Sequence, residues 1–106
     1  MNAAAERLQA ELYLYDIVPI GIRGYAPGHA TATLAIPQNA MLSGILHCIK
    51  TGLQDSLREV NSNGTVELQA DYNDPQKRYV ASSIDKTYSY IGDVLRDLGL
   101  TAENLN

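Results

Sequence analysis

The chain has 106 residues, 45% of them hydrophobic and 19% charged, with a net charge of −4. That length and balance suit one folded domain, 1–106, and exclude a disordered chain, while the acidic charge argues against non-specific nucleic-acid binding, which needs clustered Lys and Arg. A single cysteine excludes an internal disulfide and fits a reducing, cytoplasmic setting. Glu6, Arg7 and Glu11 interrupt the apolar core that a signal peptide requires. No apolar run approaches the ~20 residues needed to cross a bilayer. Seven tyrosines stand beside no phenylalanine and no tryptophan, so the core must be aliphatic. Tyrosine, with an apolar body and a polar tip, suits half-buried and interface positions.

Residues 3–11 favour helix by composition. From Leu12 the pattern changes: Leu12, Leu14, Val18, Ile20 and Ile22 occupy even positions, and Tyr13, Tyr15, Ile17 and Arg23 odd ones. This alternation predicts a strand over 12–23, placed at a sheet edge by Asp16 and Pro19. The competing pattern is a helix carried through Tyr15, since Leu8, Leu12 and Tyr15 also share a helical face. Gly24 to Gly28 reads as a turn, and His29–Ile36 alternates again, with Ala30, Ala32, Leu34 and Ile36 on one side. The two strands make a hairpin.

Residues 39–60 predict an amphipathic helix. Leu42, Ile45, Leu46, Ile49, Leu53, Leu57 and Val60 form its apolar stripe, and Asn61 to Gly64 form its stop. Thr65–Tyr72 is a strand with Val66, Leu68, Ala70 and Tyr72 inward, and Lys77–Ser82 a weaker partner. A second helix opens at Ser83 or Asp85, carries Ile84, Tyr88, Ile91, Leu95 and Leu98 on one face, and stops at Gly99. The expected fold is α+β, a two-layer sandwich. A four-stranded, mostly antiparallel sheet carries two amphipathic helices on one face, in the order β-β-α-β-β-α after a short N-terminal helix.

Chemistry-bearing motifs are sparse. His47 and Cys48 are adjacent, so on a helix they project about 100° apart and cannot grip one ion. No Cys/His spacing matches a structural zinc site, and no phosphate loop is present, so no metal or cofactor is expected. Asp16 falls on the apparent buried side of its strand and would need a cationic partner there.

With both helices on one face, the other face would present Tyr13, Tyr15, Ile17, Thr31 and Thr33. An exposed patch of that kind marks association. The expected function is a non-catalytic protein-binding or homo-oligomerising module, a small accessory, regulatory or inhibitor protein. Its partner would be another protein or a second copy in a homodimer, without nucleic acid or membrane.

Two resemblances imply alternatives. Gly28 to Leu34, Gly44 to His47 and Val66 to Tyr72 resemble the strands and helix entry of hotdog-fold thioesterases. This implies a small-ligand or acyl-thioester site at His47 and Asp55. Residues 30–98 resemble in layout the small RecA-modulating DinI family, which ends in an acidic helix. Asp85, Asp93 and Asp97 stand there in this chain, which implies an acidic inhibitor of a nucleic-acid-processing protein.

Overall fold

The computed structural model describes residues 2–36, 64–82 and 85–100. The helix expected over 39–60 lies outside the described residues. Helix α1 (Ala3–Tyr13) is followed by strands β1 (Gly21–Ala26), β2 (His29–Ala35), β3 (Thr65–Asp71), β4 (Tyr79–Ala81) and β5 (Lys86–Tyr88), and then by helix α2 (Ile91–Asp97). The strands form one antiparallel sheet in the order β1-β2-β3-β4-β5. The class is α+β, with five strands among the described residues rather than the expected four. No described helix is long and apolar enough to cross a membrane.

The first expected strand forms only at its end: Leu12 and Tyr13 belong to α1, residues 14–20 are turn and connection, and Gly21 to Arg23 open β1, which pairs with β2 as the expected hairpin. Ala4, Ala5, Leu8 and Leu12 form a buried stripe at helical spacing, and the Asn2 side chain caps the N-terminus by accepting the Ala5 N–H at 2.8 Å. Positions 8 and 12 lie four apart, so Leu12 satisfies a helical and an alternating pattern equally. Leu8 settles the choice, because it continues the stripe back into Ala4 and Ala5. The chain turns at Leu14–Asp16, and Asp16 adopts a left-handed conformation with φ 58°. Asp16 therefore lies exposed in a turn and needs no cationic partner, contrary to the strand reading.

Strands β2 and β3 follow their alternation closely. Ala30, Ala32 and Leu34 face the core, paired in register with Ala70, Leu68 and Val66, and Ile36, just past β2, is buried as well. The Gly24 to Gly28 turn is shorter than expected: only Pro27 and Gly28 lie outside the two strands, with a bulge between Gly24 and Ala26 that leaves Tyr25 out of register. Gly24 lies within β1, and the Asn2 side-chain amide occupies the space that a Cβ there would need. Gly28, at φ 79°, supplies the positive dihedral of the turn.

The last helix is also shorter than its apolar spacing implied. Residues 86–88 pair with β4, Tyr88 opposite Tyr79 and Thr87 opposite Val80. Tyr88 thus reaches the core from a strand, and α2 begins only at Ile91. Its end matches the expected stop: Gly99, at φ 71°, donates to the Arg96 carbonyl and Leu100 to the Leu95 carbonyl, a Schellman closure. Ile91, Val94, Leu95, Leu98 and Leu100 join the same buried cluster as Leu8, Leu12 and the inward residues of the sheet.

Candidate functional site

The five residues expected to share one surface are separated. Thr31 and Thr33 lie on the sheet face away from the core, in cross-strand rows with Arg23 and Gln69, and with Gly21 and Glu67. Tyr13 instead ends α1 and is exposed. Tyr15 packs against the core, and its hydroxyl lies 2.9 Å from where a Cβ on Gly92 would sit. Ile17 is buried at 4% exposure. The cause is the one-element error at 12–23: a strand would have put the three on the outer face, whereas helix, turn and connection scatter them. His47 and Asp55 lie outside the described residues.

The outer sheet face is polar and shallowly concave. One depression of about 420 Å³ is lined by Arg23, Thr31, Thr33 and Glu67 with Gly21 and Ile22. A second, of about 270 Å³, includes Tyr25, His29, Gln69, Asp71, Arg78 and Val80. The Tyr25 and His29 rings lie 5.7 Å apart at a 39° tilt. His29 Nε2 and Asp71 Oδ1 are 3.7 Å apart, too far for the hydrogen bond that orients a catalytic base. Asp71 Oδ1 accepts instead from the Asn73 backbone N–H at 2.9 Å. Arg78 pairs with Asp74, and the guanidinium's hydrogen bond holds that carboxyl below its ordinary pKa. Cations and carboxylates alternate across this face, so it has no net sign.

A second polar cluster fixes α1 to the sheet. Tyr79 Oη donates to Glu11 Oε2 at 2.5 Å, and Arg7 Nε donates to Glu11 Oε1 at 3.2 Å. The Arg7 guanidinium stands 4.2 Å over the Tyr72 ring, and Tyr72 meets Tyr79 edge-on at 6.3 Å. Burial, and then the Glu11 carboxylate, push both phenol pKa values above the ordinary range. Both phenols are held neutral, and Tyr79 is the one that donates to Glu11. The Tyr72 hydroxyl is buried without a hydrogen bond among the described residues. This cluster anchors the helix by its inner side and leaves the outer side free.

That outer side carries the most unusual surface among the described residues. Glu6, Ala10, Tyr13 and Leu14 share the outward face of α1, at spacings of three, four, seven and eight. In the connection that follows, Asp16, Val18 and Ile20 are also exposed. Leu14, Val18 and Ile20 are 81%, 77% and 64% exposed within seven positions. No Lys, Arg or His occurs from Leu8 to Ile22. Alternation had assigned these three aliphatic residues to the buried side, so reading the sequence missed them. The available signal was Leu8: once Leu8 and Leu12 are taken as one helical stripe, Leu14 has to point away from it.

Comparison with protein-family models, with curated proteins and with solved structures finds no match to this chain.

Proposed function

We propose that the chain is a non-catalytic protein-binding module that docks its partner on the outward face of α1 and the connection to β1. The observation that carries this reading is the exposure of Leu14, Val18 and Ile20 together. Leaving three aliphatic side chains in water forgoes roughly 1.5–3 kcal/mol each relative to burial. Covering them on association recovers part of that. The anchored inner side supports the same reading for Leu14, because a helix already held by Glu11 and Tyr79 presents its outer side with less backbone to order at binding.

A photo-crosslinking residue in place of Val18 tests it. Irradiation should give discrete adducts with protein, whether another chain or a second copy, and Leu14→Ser/Ile20→Ser should abolish them. Adducts that do not form, or that survive those substitutions, refute the reading.

A further inference from the structure

We infer that the partner presents a cationic amphipathic segment, an apolar row flanked by Lys or Arg; this rests on the docking surface proposed above. The argument is charge complementarity. The exposed aliphatic residues Leu14, Val18 and Ile20 are accompanied by the exposed carboxylates of Glu6 and Asp16. Neither carboxylate forms an ion pair among the described residues, whereas Glu11 is paired with Arg7. Arg7 is the one cation from Asn2 to Ile22, and its charge is committed to Glu11 and to the Tyr72 ring.

Along the chain the exposed aliphatic residues are therefore accompanied by two carboxylates without a cationic partner among the described residues. An apolar row alone would satisfy the aliphatic side chains, and flanking cations add charge complementary to the carboxylates. A second copy fits poorly. A two-fold interface sets the same patch against itself, which would bring Glu6 and Asp16 toward their own counterparts. An anionic lipid surface is disfavoured for the same reason. The outer sheet face, where cations and carboxylates alternate, has no such preference.

The test uses the full chain and two synthetic helical peptides of the same length, one built of Leu and Lys and one of Leu and Glu. Binding is followed by fluorescence anisotropy. The Leu/Lys peptide should bind at least about tenfold more tightly than the Leu/Glu peptide, and the preference should shrink with added salt. Glu6→Lys/Asp16→Lys should reverse the preference. Leu14→Ser/Val18→Ser should weaken both peptides. Glu67→Lys, on the opposite sheet face, should leave the preference unchanged. All substituted side chains are exposed, and circular dichroism confirms the fold of each variant. Equal binding of the two peptides, no binding of either, or a preference that Glu67→Lys alters as much as Asp16→Lys overturns the inference. Adducts from position 18 with some other protein would then leave the protein-binding reading standing alone.

Discussion

Removing the Tyr79 hydroxyl tests the physical account of how α1 is held. Tyr79 is buried, and its hydroxyl donates to the ionised Glu11 at 2.5 Å. A hydrogen bond to a charged group contributes about 1.5–3 kcal/mol. The Glu11 side chain keeps 21% exposure and its Arg7 contact, so water can reach the oxygen that Tyr79→Phe abandons. That places the loss near the lower end, about 1.5 kcal/mol. For a domain of this size the melting temperature should fall by roughly 8 °C. Urea denaturation of the wild type, Tyr79→Phe, Glu11→Gln and the double variant gives the coupling energy, expected at about 1 kcal/mol or more. The pH dependence carries the same signature. The folded phenols of Tyr79 and Tyr72 titrate above their ordinary value, so an unfolded chain loses these protons first, near pH 10. Their stabilising contribution is complete below that pH and is lost as the pH rises toward the folded values. Tyr79→Phe should make the alkaline loss of stability shallower. A coupling within about 0.3 kcal/mol of zero, with an unchanged alkaline slope, would refute the reasoning.

Leu68→Ala, at a fully buried position in the central strand, should cost about 3 kcal/mol in denaturant unfolding. Asn2→Ala removes both the cap of α1 and the contact to the Ala26 carbonyl, and should lower stability by about 1–2 kcal/mol in the same assay. Gly92→Ala should gain nothing alone, because the new Cβ meets the Tyr15 hydroxyl at 2.9 Å; combined with Tyr15→Phe it should gain about 0.5 kcal/mol of helix propensity. Leu14→Ser/Val18→Ser should change thermal stability by no more than about 0.5 kcal/mol while removing association, separating a binding surface from a core.

The contrast between β2–β3 and the first twenty residues explains what was legible. In β2 and β3 every core-facing residue is aliphatic or alanine over seven consecutive positions, so the alternation had one solution and showed which side faces the core. In 8–22 the apolar residues Leu8, Leu12, Leu14, Ile17, Val18 and Ile20 satisfy more than one period. The helix won there because Ala4, Ala5, Leu8 and Leu12 together fill the space over β1 and β2, which a strand could not do. The same ambiguity hid the docking surface. Local pattern assigns apolar side chains to a core and has no means of marking those that the fold leaves outside.

Local chemistry therefore determined the α+β class, the strands over 29–35 and 65–71 with their inward faces, the glycine closure at 99 and the acidic, aliphatic character of the chain. Each rests on contacts between near neighbours or on a strict two-residue period. Only the tertiary structure decided that Tyr88 enters the core from a strand, that Glu11 meets Tyr79 across 68 residues, and that Leu14, Val18 and Ile20 face water. Those outcomes depend on which segments compete for the same core volume, a quantity set by the whole packed chain and carried by no single stretch of it.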